Sequence, residues 1–307
     1  METGTLTPDL FLPLEEAERP GESLPRPSRS YWQDAWARLR RDPLAMAGLL
    51  TVLVIILLAV FGPMASSYTY DGQDIAGQNQ WPSALHWFGT DKFGRDIFVR
   101  VLYGARISLS VGFVTAAVTC VIGVAYGGIS GYVGGRTDMV MMRIVDILIG
   151  VPSLLYVILI MMFLGNTLQS ILLALCLTTW TGAARMVRGQ VLTLKNQEFA
   201  MAARAIGASD LRILFRHLIP NSMGPIIVTV TFIVPTAIFS EAFLSFLGIG
   251  IQVPAASWGT LASEAIPSIF SYPYQMLVPT LAISTTMFAL NFLGDGLRDA
   301  LDPRLRK

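Results

Sequence analysis

Charged residues are scarce in this 307-residue chain: they make up 14% of it, whereas a soluble domain carries about 25%. Hydrophobic residues make up 53%. The chain has only two cysteines, Cys120 and Cys176, and both lie inside apolar runs, which argues against a disulfide framework. Because the deficit of charge is concentrated in long uncharged stretches, it indicates a protein that crosses a membrane several times.

Motifs that hold nucleotides or metals are also missing. No G-x-x-x-x-G-K-[ST] phosphate loop occurs, so we do not expect the chain itself to bind ATP in that way. The two histidines, His86 and His217, lack paired ligands, and no calcium-loop spacing is present, so no metal site is expected. No nucleophile with a neighbouring base is recognisable, which argues against catalysis in this chain.

Six apolar segments have about the length needed to cross a bilayer core that is about 30 Å thick. The third contains Gly150, Val151 and Pro152, a sequence that predicts a bend. We therefore predict an all-α integral membrane protein with six transmembrane helices and both termini on one side. The predicted spans are 44–62, 107–131, 140–164, 167–184, 224–243 and 276–293.

Lysine and arginine positions predict the orientation. Of the 22, all but Lys92, Arg95, Arg100 and Arg106 fall on one side, and such residues favour the cytoplasmic face. Both termini are therefore predicted to be cytoplasmic. The predicted parts are a cytoplasmic N-terminal tail without a cleavable signal peptide but with a short helix over 31–41 (1–43), a first transmembrane helix (44–62), an extracytoplasmic segment (63–106), a five-helix core (107–294) and a cytoplasmic tail (295–307).

Three charged residues lie within or near the apolar runs. Arg143 and Asp146 are three positions apart on a helix, which predicts a local ion pair. Glu241 lies roughly 25 Å along a helix from Gly224, so we expect it near the outer surface, in a structural or gating contact rather than a proton relay.

A motif before the second span, GTDKFGRD, combines acids, bases and glycines. It predicts a capped turn from which Thr90 or Asp91 starts a short helix on the outer membrane surface. A contact with another protein on that side is an alternative use. The motif residues are Gly89, Thr90, Asp91, Gly94, Arg95 and Asp96.

The segment KNQEFAMAARAIGASDLRILFRHLIPN, from Lys195 to Asn221, is charged and helix-prone, yet it lies between two spans. Gly207 predicts a stop between a helix over 197–206 and a second helix, which Ser209 caps and Pro220 ends. The small residues of this hairpin would let another protein's backbone approach closely. An amphipathic helix lying on lipid is the alternative.

The spacing of Ala202-Ala203, Gly207 and Ile219-Pro220 resembles the EAA loop of importer permeases in the ATP-binding-cassette superfamily. Met201 stands where the general pattern has glutamate, and Glu198 is the nearest acid. The extended form EFxxAARAxGAS…RHLIPN resembles the peptide-importer subgroup. Over about residues 30 to 307, the chain is similar to C-type oligopeptide permeases, through HWFGTDKFGRDIFVRVLYGARISLSVG, GGRTDMVMMRIVDIL, ARMVRGQ, SEAFLSFLGIG, SWGTL and LGDGLRDALDPRLR.

This resemblance implies a type I importer permease fold in a bacterial inner membrane, with residues 193–221 as a cytoplasmic coupling hairpin. It implies a second homologous permease, an extracytoplasmic peptide-binding protein, and two cytoplasmic ATPase subunits that bind ATP and Mg²⁺, with the lipid bilayer around the chain, no cofactor in the chain itself and no nucleic acid partner. The residues implied to couple to the ATPase are Glu198, Met201, Ala202, Ala203, Gly207, Ala208 and Ser209.

The function implied is ATP-driven peptide uptake, with oligopeptides as the expected substrates. Related permeases for dipeptides, glutathione or nickel chelates remain alternatives. An ion-driven secondary transporter is the alternative from another class, but it would call for several intramembrane acids or broken helices around a midplane site. A structural protein that only recruits an ATPase is a third possibility.

Overall fold

The computed structural model describes residues 30–252 and 254–302. The predicted tail residues 1–29 and 303–307 lie outside the described part. Within it the chain forms helices and no β-sheet, apart from one isolated antiparallel bridge between Thr90 and Asp96. The α-helices are α1 Tyr31–Leu39, α2 Pro43–Phe61, α3 Ile97–Val133, α4 Gly135–Gly150, α5 Ser153–Leu164, α6 Leu168–Leu194, α7 Glu198–Ala205, α8 Asp210–Ile213, α9 Ile219–Asn221, α10 Met223–Phe246, α11 Trp258–Ala265 and α12 Tyr274–Leu301.

Among the described residues, five helices are long and apolar enough to cross a membrane: α2 with the short turn that follows it, α3, α6, α10 and α12. The α4–α5 pair makes a sixth span if it is counted as one, and its two helices meet at an angle of 80°. The break falls at Val151 and Pro152, whose backbone is extended, so the predicted bend is confirmed. Proline cannot donate a helical hydrogen bond, which explains the position of the break.

Glycines allow the closest approach between helices. A Cβ added at Gly127 of α3 would lie 2.2 Å from the carbonyl oxygen of Ala184 in α6, and one at Gly48 of α2 would lie 2.4 Å from the carbonyl oxygen of Ala289 in α12. Membrane helices associate through such close backbone contacts, because burial from water contributes little inside the bilayer. The bundle is therefore packed backbone to backbone along α3–α6 and α2–α12.

Helix α1 lies against the end of α12. Ser30 and Gln33 form a reciprocal capping box at its start, and the hydroxyl of Tyr31 donates to the carbonyl oxygen of Leu301 at 3.0 Å. Leu39, at the end of α1, is buried. The helix predicted over 31–41 is thus present as α1, and it packs against the end of α12.

Several helix boundaries differ from the prediction; α6, for example, continues to Leu194, ten residues beyond the predicted end at 184. Helix α3 begins at Ile97, ten residues before the predicted span at 107. Pro220 does not end the hairpin's second helix, because α8, a π-helical turn over Leu214–Leu218 and α9 lead almost directly into α10. Proline lacks an amide donor, and its ring would clash with the preceding turn of an α-helix. The π-helical turn lies just before Pro220 and shifts the hydrogen-bond register at this point, so the helical chain continues past the proline.

Candidate functional site

The hairpin over 193–221 turns at Gly207. This residue has a φ of +82°, a left-handed conformation that glycine adopts at little cost. The amide of Ala208 donates to the carbonyl of Ala203 at 3.0 Å, and that of Gly207 donates to the carbonyl of Arg204 at 3.0 Å. These two bonds form a Schellman motif, which satisfies the free carbonyls at the end of α7. Gly207 therefore ends the helix where the sequence predicts.

One side of the hairpin is buried against its own bundle. Ala200 and Ala203 of α7 and Ile213, Leu214 and Leu218 of the following helical segment are buried. They form one apolar cluster with buried residues of α6 and α10. Ala203, a predicted partner contact, is therefore packed inside this chain, and a small residue there lets α7 lie close to α6.

Polar contacts hold the hairpin to the end of α3. The hydroxyl of Tyr132 donates to a carboxyl oxygen of Asp210 at 2.6 Å, and the Arg204 guanidinium lies 5.7 Å from the centre of the Tyr132 ring. The ammonium of Lys195 donates to the carbonyl oxygen of Gly131 at 2.8 Å. The hairpin therefore contacts α3, α6 and α10 of the bundle.

The opposite side of the hairpin is open. Four large apolar side chains lie there, with exposed fractions of 52% for Met201, 85% for Ile206, 69% for Leu211 and 51% for Phe215. Among the other predicted contact residues, Glu198, Ala202, Gly207 and Ser209 are exposed, and Ala208 is half-buried. Ser209 precedes α8 but makes no side-chain capping bond. An exposed apolar surface of this kind, surrounded by polar residues, is typical of a protein or membrane contact.

Asp146 has a different partner from the predicted one. Arg185 of α6 donates to its carboxyl group at 2.5 Å, so the prediction of a local pair with Arg143 is wrong. Helices α4 and α6 lie side by side in the bundle. Asp146 on α4 can therefore reach Arg185 on α6, and it pairs with that residue instead of with Arg143 on its own helix. A second bridge ties the same helices, since Arg188 donates two bonds to Asp138 at 2.5 and 2.6 Å.

Glu241 of α10 is fully buried. Its carboxyl oxygens accept bonds from the hydroxyls of Ser257 at 2.6 Å, Ser245 at 2.8 Å and Ser108 at 3.2 Å. The hydroxyl of Ser108 in turn accepts from the backbone amide of Trp258 at 3.2 Å. The carboxyl group thus joins α3, α10 and the start of α11, an arrangement that supports the predicted structural contact.

The GTDKFGRD motif folds as a turn rather than as the start of a surface helix. Gly89 and Gly94 have φ values of +76° and +70°, and the carboxyl group of Asp91 accepts from the backbone amides of Phe93 and Arg95. The predicted short helix is therefore wrong, because these left-handed glycines and side-chain bonds replace helical ones. Asp96 instead caps the start of α3.

The other residues of that motif also have defined partners. Thr90 donates to the carbonyl of Gly77 at 2.5 Å. The carboxyl of Asp96 lies 2.8 Å from Nδ1 of His86. These bonds hold the motif against the chain segment that precedes it.

The same turn carries a buried ion cluster that sequence reasoning missed in part. Arg95 donates to Asp91 at 2.6 Å and to Glu264 of α11 at 2.7 Å, and Nη1 of Arg100 donates to the same two carboxyl groups at 2.6 and 2.9 Å. Arg100 is 1% exposed. A single arginine inside the apolar run IFVRVLYGA is a signal for a buried partner, because an unpaired buried charge is costly. Glu264 carries no comparable local signal.

Comparison with protein-family models identifies the chain. The model described as the binding-protein-dependent transport system inner membrane component matches residues 123–307, more than half of the chain. The chain belongs to this family of transport components. The model of the N-terminal transmembrane domain of oligopeptide transport permease C also matches, over residues 30–82.

Curated permeases are similar over nearly the whole length. The dipeptide transport system permease protein of Bacillus subtilis is 52% identical, covering 97% of this chain and 93% of that protein. The oligopeptide transport system permease protein of the same organism is 51% identical, covering 97% and 98%. The glutathione transport system permease protein of Escherichia coli is 41% identical, covering 91% and 92%.

A solved structure shares the fold. A chain of the inward-facing MetNI methionine ABC transporter aligns with a TM-score of 0.52 and 19% identity, and the alignment covers 67% of this chain and 96% of that one. The chain is therefore a multi-pass membrane protein with a type I importer permease-like fold. The prediction of this family from the hairpin and its flanking motifs is confirmed.

Proposed function

We propose that this chain is the membrane-spanning permease subunit of an ATP-driven importer of peptides, most of all of oligopeptides, in a bacterial inner membrane. It provides half of the translocation pathway. Both termini and the hairpin lie in the cytoplasm, in agreement with the distribution of lysine and arginine. The names of the similar permeases support peptides as the substrate class.

The proposed assembly contains four kinds of partner. A second, homologous permease completes the pathway, and two cytoplasmic ATPase subunits bind ATP and Mg²⁺. A peptide-binding protein delivers the substrate on the outer side, and lipid surrounds the remaining surface. Nucleic acid has no place in this assembly.

The hairpin is the observation on which this proposal rests. Its inner side is packed on α3, α6 and α10. On its outer side, Met201, Ala202 and Ile206 are exposed. Small and apolar residues side by side suit a cleft in a folded protein, since they allow close approach and bury apolar area. We propose that this outer side, from Glu198 to Ser209, is the contact with the ATPase.

Movement of the ATPase subunits would then be transmitted mechanically. The Schellman turn at Gly207 and the contacts of Tyr132 fix the hairpin relative to α3, so a displacement of the hairpin moves the helices that hold it. Interfaces packed in this way shift as rigid bodies between a few states. The Asp138–Arg188 and Asp146–Arg185 bridges would carry the same motion to α4.

The second candidate function is uptake of a related substrate. The similarity to a glutathione permease keeps glutathione, a short peptide, open as a substrate, along with dipeptides. Peptide size separates these possibilities in one experiment. The assembly, with its partner subunits co-expressed, is reconstituted into vesicles and tested for ATP-dependent uptake of labelled peptides of two to six residues and of glutathione.

Uptake of the longer peptides that requires ATP and the binding protein supports the oligopeptide proposal. Uptake restricted to dipeptides or to glutathione would move the assignment to those substrates. Uptake driven by an ion gradient without ATP would contradict the proposed function. The variant Ile206→Glu, which places a charge on the exposed outer side of the hairpin, should lower uptake, whereas Thr193→Glu, at an exposed position at the start of the hairpin, is the matched control.

A further inference from the structure

A groove between α5, α6 and α10 differs in chemistry from the exposed surface of α2. It has a volume of about 440 Å³, within the range of about 300–1,000 Å³ that is usual for ligand sites. Apolar and aromatic side chains, Phe239 and Phe243 among them, form part of its wall, and no charged side chain lines it. Five hydroxyl groups also line it, those of Ser153, Thr178, Thr179, Thr236 and Ser240.

The hydroxyl groups lie at the depth of the bilayer. Thr236 is 13 residues from the start of the 24-residue helix α10, or about 20 Å along its axis, near the middle of the span. Thr236, Phe239, Ser240 and Phe243 share one face of α10, because they follow each other at helical spacing. This face therefore presents polar oxygen atoms and aromatic rings where lipid tails would offer neither hydrogen bonds nor water.

The contrast with α2 separates two kinds of surface. Each exposed position of α2, such as Leu50, Leu53 and Leu57, carries an apolar side chain. That pattern is the one expected for contact with lipid tails. The α5–α6–α10 groove faces another environment, since a lipid contact gives no reason to place five hydroxyl groups there.

Three of the five hydroxyl groups are arranged to accept hydrogen bonds, whereas that of Thr179 is already bonded to the hydroxyl of Thr119 at 2.6 Å. Thr236 donates its proton to the carbonyl of Phe232 at 2.8 Å, and Ser240 donates to that of Thr236 at 2.8 Å. Thr178 donates in the same way within α6, at 3.2 Å. Since the protons are engaged within the helices, the free lone pairs of the oxygens point outward as acceptors.

We propose that this groove is the part of the chain that contacts the transported peptide, through its backbone N–H groups and its apolar side chains. The proposal rests on the proposed function and adds the location and the mode of recognition. Weak acceptors and aromatic rings can contact any peptide backbone, and a wall without fixed charge does not select among peptide charges. The groove therefore passes peptides of different sequence without holding any of them tightly.

The test introduces charge into the groove of the assembled transporter. Thr236→Asp, Thr236→Lys and the neutral control Thr236→Asn are compared for uptake of acidic and basic peptides of equal length. Charges a few ångströms apart in a partly hydrated site change the rates by about threefold to tenfold. We expect Asp to lower the uptake of acidic relative to basic peptides, Lys to do the reverse, and Asn to leave the ratio unchanged.

Thiol labelling gives a second readout that does not depend on transport. In a background with Cys120→Ala and Cys176→Ala, the variants Thr236→Cys, Ser240→Cys and the lipid-facing control Leu57→Cys are treated in membranes with a water-soluble thiol reagent, with and without ATP. We expect Thr236→Cys and Ser240→Cys to be modified and Leu57→Cys to remain unmodified.

Three results would overturn the proposal. Equal resistance of all three cysteine variants would show that the groove faces lipid. Protection of the groove cysteines whenever the second permease is present would show a subunit interface. Charge variants that lower the uptake of both peptide classes equally, in an assembly that still forms, would show that the groove lies away from the path. If the unmodified assembly takes up no peptide at all, the proposed function fails, and labelling still reports whether the groove contacts water.

Discussion

Replacing Glu241 tests the structural contact that joins α3, α10 and α11. In the Glu241→Leu variant the hydroxyls of Ser108, Ser245 and Ser257 lose their acceptor. Ser245 can turn back to a carbonyl of its own helix, as Ser240 does at 2.8 Å, so its loss should be small. Ser108, inside α3, can turn back in the same way, whereas Ser257 keeps only a long contact with the hydroxyl oxygen of Thr260 at 3.4 Å. One poorly bonded buried donor costs about 1–3 kcal/mol.

Glu241→Gln is the matched variant, because its carbonyl oxygen can still accept from Ser245 and Ser257. Its amide then faces Ser108, whose hydroxyl can rotate to accept, so the expected cost is about 1 kcal/mol. Thermal unfolding of the purified assembly in detergent, followed by size-exclusion chromatography, measures both. We expect the leucine variant to unfold at a clearly lower temperature and the glutamine variant to lie close to the unmodified protein.

A leucine variant as stable as the unmodified protein would refute this reasoning, since the serine contacts would then contribute nothing. Transport by the glutamine variant separates a structural contact from a proton relay. The glutamine amide does not ionise and cannot take up and release a proton as a carboxyl group does, so a relay predicts loss of uptake. A structural contact predicts that most uptake is retained.

Three further predictions concern two glycines and the buried ion cluster of Arg95 and Arg100. Gly207→Leu should lower uptake, because a left-handed residue other than glycine costs about 1–2 kcal/mol even though no atom lies within 4 Å of the added Cβ; Gly207→Asn, which tolerates this conformation better, should retain more uptake. Gly127→Ala should destabilise the α3–α6 contact by about 1–3 kcal/mol, while Gly182→Ala, where the added Cβ has open space, should have no effect in the same thermal assay. Arg95→Lys should unfold at a lower temperature than Arg100→Lys, since Arg95 contacts two carboxyl groups through two different nitrogens and Arg100 uses one; equal effects would contradict this.

The helices and the hairpin stop follow from local sequence. Long apolar runs predict the spans because the bilayer requires a fixed length, and Gly207 ends α7 because glycine adopts a left-handed conformation at little cost. The bend at Pro152 follows from the missing donor of proline. Each of these features depends on residues that are close together in the chain.

The partners of the charged residues cannot be predicted from local sequence in the same way. Asp146 pairs with Arg185 on another helix, and Glu241 is surrounded by serines from three separate segments. Which helix faces which depends on packing of the whole bundle, so spacing along one helix favours the wrong partner for Asp146. The turn at Asp91 was missed for a different, local reason, since its carboxyl group accepts from the amides of Phe93 and Arg95 and replaces helical hydrogen bonds.

Cysteine crosslinking at α7 tests the central claim most directly, that the outer side of the hairpin contacts an ATPase. Ala202 is exposed and its neighbour Ala203 is buried in the chain, so Ala202→Cys and Ala203→Cys form a matched pair in the cysteine-free background. We expect only Ala202→Cys to crosslink to a co-expressed ATPase subunit in native membranes. If Ala202→Cys instead fails to crosslink and reacts with a lipid-soluble thiol reagent, the hairpin lies on lipid and the coupling role is contradicted.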